Sequence, residues 1–220
     1  IIKTSLVLIR IVECPNQENL DSVNKSLFKE IEGRALEGFL SLGGKNQSFK
    51  DLRGSFKESF RLDKIENALN QKIHFCQDNI AESKKGVLRG LHYQIEPHTQ
   101  SKLVSVIKGK VIDIIVDIRK GSPTFGKHIS IELSDENQKQ VFIPRGYAHG
   151  YITLSEESIF HYKVDNYYNK SSEASIAFDD PKLQINWILP KSELIVSEKD
   201  TNHPLLKDAI LFDFKANLYD

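Results

Sequence analysis

Methionine is absent from this 220-residue chain, tryptophan occurs once and cysteine twice. The two cysteines, Cys14 and Cys76, have neither the spacing of a zinc site nor the density of a secreted disulfide scaffold. That usage predicts a reduced, cytoplasmic setting, with both thiols buried and structural. Long apolar runs are also lacking. The N-terminal IIKTSLVLIRIV is only about a dozen residues, short of the roughly 20 that span a bilayer, and carries no small-residue cleavage site. An excess of one charge is missing too, because 30 Lys+Arg balance 30 Asp+Glu. With no long basic tract and no basic stripe interleaved with aromatics, nucleic acid is not an expected partner, and an anionic ligand must be met by local charge. The missing initiator methionine is what a processed or truncated chain would show.

What is present changes texture along the chain. Residues 18–34 place Leu20, Val23, Leu27 and Ile31 at helical spacing, and residues 61–71 place Leu62, Ile65 and Leu69 likewise, which predicts two peripheral helices. From 87 onward come short β-rich runs at 103–107, 111–118, 128–133, 140–143 and 158–164, divided by Gly, Pro, Asn and Asp turn signals. Closely spaced strands with no helical pattern between them predict a mainly β fold, an antiparallel barrel or jelly roll. After Trp187 the pattern reads as loops with one short helical piece near 204–210. The expected organisation is a domain over 36–220, with 1–35 an N-terminal extension, or a strand plus helix, of uncertain role.

The stretch 86–102, GVLRGLHYQIEPHTQSK, concentrates arginine, histidine and lysine in one short strand-like segment. In an extended chain His92 and Gln94 share a face and Arg89 points to the other. Taken singly, His92 reads as a structural or exposed strand histidine, Tyr162 as a core tyrosine with its hydroxyl satisfied, and Asp200 as a solvated loop acid. Together, an imidazole, a carboxylate able to fix its tautomer, a phenol and a lysine are the parts of a proton-transfer site. A metal reading competes: IPRGYAH at 143–149 has the P-x-G-x-x-H spacing of a second cupin motif, whose histidine is often a ligand. The first motif's His-x-His pair is replaced by His92-Tyr93-Gln94, so a cupin-like barrel without metal is the favoured expectation.

KGVLRGLHYQ, PHTQSKLV, SPTFG, IPRGYAHGY, YKVDNYY and SEKD, in this order between roughly Asp51 and Pro204, resemble the dTDP-4-dehydrorhamnose 3,5-epimerase family. The resemblance implies a homodimeric cupin-type jelly roll that epimerises a dTDP-linked 4-keto-6-deoxyhexose without a cofactor. It implies His92 as the base, Asp200 as its carboxylate partner, Tyr162 as the acid from the other face and Lys102 near the ketone oxygen. Arg89 and His149 would line the same pocket. DLRGSFKESF at 51–60 implies Arg53 for the diphosphate and Glu58 for the nucleotide end, while Gln77, Asn79, Tyr168, Glu173 and Lys199 match further positions around nucleotide and sugar.

The chain departs from the family at Ala174 and Phe178, where Gly and Trp are common, and at INWILP, where IDWP is usual. IIKTSLVLI and ALEGFLSL both resemble the family's N-terminal strand, which leaves open whether 1–35 is an extension or 13–45 an insertion. Four alternatives stand beside the 3,5-epimerase: a single-site epimerase, at C3 or C5, on a related nucleotide 4-keto sugar, a 3,4-ketoisomerase, a non-catalytic sugar-nucleotide-binding protein, and a metal-dependent cupin enzyme.

Overall fold

The computed structural model describes residues 40–42 and 49–219. The helix expected over 18–34, Cys14 and the extension 1–35 lie outside the described residues. In chain order the strands are β1 (Leu40–Leu42), β2 (Phe49–Asp51), β3 (Gly54–Phe56), β4 (Gln77–Lys84), β5 (Val87–Gln94), β6 (Lys102–Lys108), β7 (Lys110–Asp117), β8 (Arg119–Lys120), β9 (His128–Ser134), β10 (Gln140–Ile143), β11 (Tyr147–Thr153), β12 (Glu157–Val164), β13 (Glu173–Ser175), β14 (Ile195–Val196) and β15 (Phe212–Asp213). Two α-helices are described, α1 (Leu62–Leu69) and α2 (Glu198–Thr201), along with two single-turn 3-10 helices at Lys170–Ser172 and Lys191–Glu193.

Two antiparallel sheets carry the fold. One runs β1-β10-β6-β12-β4; the other runs β13-β5-β11-β7-β9, with β14 added in parallel to β5. The inner core draws on both sheets: Val104, Val106, Val141, Ile143 and Phe160 from the first meet Val111, Ile115, Leu133, Tyr147 and Tyr151 from the second. The second sheet is covered on its other face as well. There Leu88, Leu91, Ile114, Val116 and Ile152 pack under Phe178, Trp187, Leu206, Phe212 and Leu218 of the C-terminal segment. Burial on both faces is why VIDIIVDI reads as a nearly continuous apolar run rather than an alternation. Each fully buried Leu, Ile or Phe contributes roughly 1.5–3 kcal/mol to the fold.

The five expected runs from 102 onward are found as β6, β7, β9, β10 and β12, whereas β11, central to the second sheet, and the short β8, β13, β14 and β15 were not expected. Strand β4 gave no sequence signal, because QDNIAESK alternates between part-buried and exposed positions and supplies little apolar surface. Helix α1 is where its spacing placed it, with Ile65 packed against Ile73, Leu103 and Phe142 and Asn70 closing it in the left-handed region at φ 54°. The short C-terminal helix is displaced from its expected place near 204–210. That stretch forms turns, and the helix is Glu198–Thr201, capped by Ser197, whose Oγ accepts from the Asp200 N–H at 3.1 Å. Cys76 is half-buried, not fully buried as expected, and its thiol, pushed up by burial, points at the Val164 carbonyl at 3.7 Å.

Candidate active site

A cavity of about 560 Å³ opens between the two sheets, lined by Arg89, His92, Lys102, His149, Tyr162 and Asp200 among others. Its architecture begins with β5. Against β11, His92 is opposite His149 and Arg89 is opposite Tyr151, so β5 carries one extra residue, a bulge at Gly90. The bulge resets the alternation: Leu88, Leu91 and Tyr93 join the outer core, while Arg89 and His92 both line the cavity. The expectation that Arg89 points away from His92 is therefore corrected, because strict period-two geometry fails at Gly90. Only glycine serves at this crossing. Gly90 has φ +132°, a Cβ there would lie 2.5 Å from Gly150 Cα, and one on Gly150 would lie 2.7 Å from the Arg89 carbonyl oxygen.

The base candidate and its carboxylate are brought together from positions far apart in sequence. His92 Nε2 is 2.8 Å from Asp200 Oδ1, and the Gly90 N–H reaches Asp200 Oδ2 at 3.4 Å. Burial raises the Asp200 carboxyl, but the hydrogen bond and charge of His92, the Gly90 N–H and His203 outweigh it and hold the group below the usual carboxylate value. An ionised Asp200 accepts the Nε2 proton of His92, which leaves Nδ1 as the free basic nitrogen of the neutral ring. His92 is about one-third exposed, against 6% for the Asp200 side chain, so the imidazole reaches open cavity and the carboxylate stays behind it.

Lys102 extends its Nζ to within 3.4 Å of the His92 carbonyl oxygen. Desolvation pulls its ammonium down to about 8, against the pull of Asp113 and Glu173 in the other direction. Tyr162 comes from the other sheet, on β12 between Val104 and Asn79. Burial raises its phenol, so it keeps its proton at neutral pH and can donate. Base and acid candidates thus stand on opposite walls. His149 is held at Nε2 by Asp113 Oδ1 at 2.7 Å, and burial keeps its ring below an ordinary histidine despite that carboxylate. Arg89 bonds Ser83 Oγ at 3.2 Å and the Glu82 carbonyl at 3.1 Å.

At the mouth, Tyr168, Glu173 and Lys199 form a connected group: Glu173 takes Lys199 Nζ at 2.5 Å and the Tyr168 hydroxyl at 3.1 Å. Gln77 joins it indirectly, bonding Asn79 at 2.8 Å and accepting the Tyr168 N–H at 3.0 Å, although neither Gln77 nor Asn79 lines the cavity. Arg53 and Glu58 are not brought to it either. Arg53 lies on the exposed β2–β3 hairpin, bonded to Asp51, and Glu58 pairs with Lys64 at 2.8 Å.

Sequence reasoning missed two residues. Asp113 sits inside the apolar run of β7, where a carboxylate at 0% exposure is a signal in itself once the strand is known to be buried on both faces. His203, three residues after Asp200, places its ring edge-on to His92 with centroids 5.4 Å apart. The only trace of it in the sequence was its proximity to SEKD.

A family model described as dTDP-4-dehydrorhamnose 3,5-epimerase matches residues 35–208. The chain is 48% identical over 164 residues to the dTDP-4-dehydrorhamnose 3,5-epimerase of Shigella flexneri, covering 74% of this chain and 90% of that one. It resembles the crystal structure of the Elizabethkingia anophelis dTDP-4-dehydrorhamnose 3,5-epimerase at TM-score 0.70 and 46% identity, over 77% of this chain and 97% of that one. A Legionella pneumophila dTDP-6-deoxy-D-glucose-3,5-epimerase, solved in complex with dTDP-4-keto-L-rhamnose, is similar at TM-score 0.74 and 42% identity, over 81% of this chain and all of that one.

Proposed function

The chain belongs to the dTDP-4-dehydrorhamnose 3,5-epimerase family, and from that premise we propose that it epimerises dTDP-4-dehydro-6-deoxy-D-glucose at C3 and C5, by proton transfer through an enolate. The observation that carries the reading is the 2.8 Å contact between His92 and Asp200 inside a cavity whose opposite wall presents Tyr162. Both carbons flank the C4 ketone, so either C–H bond is acidified by delocalisation of the resulting carbanion into the carbonyl. His92 Nδ1 takes the proton while Asp200 stabilises the imidazolium that forms. The negative charge that develops on the ketone oxygen is met by Lys102, a preorganised cation of the kind worth roughly 3–4 kcal/mol per donor. Tyr162 then delivers a proton to the other face, which inverts the centre. No step requires a redox partner.

Tyr168, Glu173 and Lys199 at the mouth suit the nucleotide end of the substrate. Arg53 and Glu58 serve it only if a second copy of the chain brings them, and Phe49, Leu52 and Phe56 on the same exposed hairpin offer apolar surface for such a contact. A homodimer is therefore part of the proposal, as is a cytoplasmic location, which the cysteine usage supports. Among the described residues no helix is long and apolar enough to cross a membrane.

The deciding experiment is NMR of dTDP-4-keto-6-deoxyglucose with the protein in deuterated water. Deuterium at both C3 and C5 supports the proposal, deuterium at one carbon makes it a single-site epimerase, and none at either carbon overturns it.

A further inference from the structure

Asp200 has a second imidazole against it to which proton transfer gives no task. His203 Nε2 lies 3.5 Å from Asp200 Oδ1, its side chain is 5% exposed, and neither ring nitrogen has a hydrogen-bond partner. A buried polar ring with both nitrogens unpaired is unusual enough to call for a ligand. We propose that His92, Asp200 and His203 form an inhibitory site for a borderline divalent transition-metal cation, Zn²⁺ in the first instance, that switches the base off by changing its tautomer.

The distances fit. Zinc holds nitrogen and oxygen ligands at 2.0–2.2 Å, which sets the donor atoms of a tetrahedral site about 3.3 Å apart. The two separations from Asp200 Oδ1, 2.8 Å to His92 and 3.5 Å to His203, straddle that value, and one ligand atom from each residue lies within 4.8 Å of the others. Two imidazoles and one carboxylate suit zinc, cobalt or nickel and not the all-oxygen preference of calcium or magnesium. Helix α2 and its Ser197 cap fix Asp200, and His203 follows two residues after the helix ends.

Inhibition follows from proton bookkeeping on one ring. Without metal, Nε2 carries the proton facing Asp200 and Nδ1 holds the free lone pair. A metal on Nε2 takes that nitrogen's lone pair, so the proton of the neutral ring resides on Nδ1. Nδ1, the nitrogen assigned as the base, becomes a donor, no net proton is released, and no electron moves. The inference rests on the reading of His92 as the base, and the test separates the two.

Co²⁺ is titrated into the metal-free protein without substrate and its visible ligand-field absorption is followed, while deuterium exchange is measured in parallel with Zn²⁺ and then with a chelator. We expect one Co²⁺ per chain, displaced by Zn²⁺, and a loss of exchange of at least tenfold at one equivalent of Zn²⁺ that the chelator reverses. His203→Asn should weaken Co²⁺ binding at least tenfold and raise the Zn²⁺ needed for inhibition by a similar factor, judged against that variant's own metal-free rate. His203→Gln serves if His203→Asn does not fold. Absence of Co²⁺ binding, or binding unchanged in the His203 variants, overturns the site. Binding that leaves exchange intact overturns the tautomer switch. Co²⁺ binding by a protein that shows no exchange even without metal leaves the site standing and removes the epimerase reading instead.

Discussion

Two histidine–carboxylate pairs meet at the same crossing of β5 and β11, where His92 and His149 are register partners, yet they are built differently. His92 is partly open to the cavity and its Asp200 arrives from a distant helix; His149 and Asp113 are both buried, on neighbouring strands of one sheet. The Asp200 carboxylate has donors on both oxygens, whereas Asp113 leaves Oδ2 without a partner. The same two residue types thus produce a reachable imidazole, the proposed base, in one place and, in the other, a fixed neutral ring that shapes the wall. Access and the source of the carboxylate decide which.

The comparison breaks most sharply at the open pair. His92→Ala should lower deuterium exchange at both carbons by about 10³-fold or more, within the range for loss of a general base, and full activity in this variant would end the proton-transfer assignment. Asp200→Asn comes next. An amide N–H facing Nε2 holds the ring with its proton on Nδ1, so exchange should fall by about 10²–10⁴-fold while substrate affinity changes little, as a KM-against-kcat measurement would reveal.

Tyr162→Phe sharpens the contrast between walls. Proton loss should persist while net inversion drops by about 10²-fold, seen as deuterium washed in faster than product accumulates. His149→Ala should act on the other pair and on the fold. It leaves buried Asp113 without its hydrogen bond at a cost of roughly 1–3 kcal/mol in urea unfolding, with a smaller effect on exchange than His92→Ala.

The smallest effect concerns pH. Lys102, lowered to about 8, is a cation below that value and neutral above it, so kcat/KM should decline as pH rises through about 8. Lys102→Arg should shift that alkaline limb upward, because a guanidinium stays charged. An unchanged limb would show that another group sets it.

Much of the fold was legible because apolar runs and turn residues alternate from 102 onward, and helix α1 was readable from Leu62, Ile65 and Leu69. Strand β4 was not, since its polar residues take their place from pairing with β12 rather than from burial. Helix α2 was misplaced because four residues with a serine cap carry too little pattern. The cavity residues were named from motif resemblance; local periodicity put Arg89 on the wrong face, since a glycine bulge is visible only once a partner strand exists to define register. His203 and Asp113 escaped because each derives its character from neighbours far away in the chain.

By itself, the sequence determined a β-rich chain with balanced charge, the five strands β6, β7, β9, β10 and β12, and the residue types for proton transfer. Tertiary structure alone decided that His92 meets Asp200 across more than a hundred residues, that Arg89 shares its cavity, that Arg53 and Glu58 lie away from it, and that His203 is buried against the dyad. The physical reason is that period and propensity act over a few residues, whereas hydrogen bonds, desolvation and register are set by whatever packs alongside.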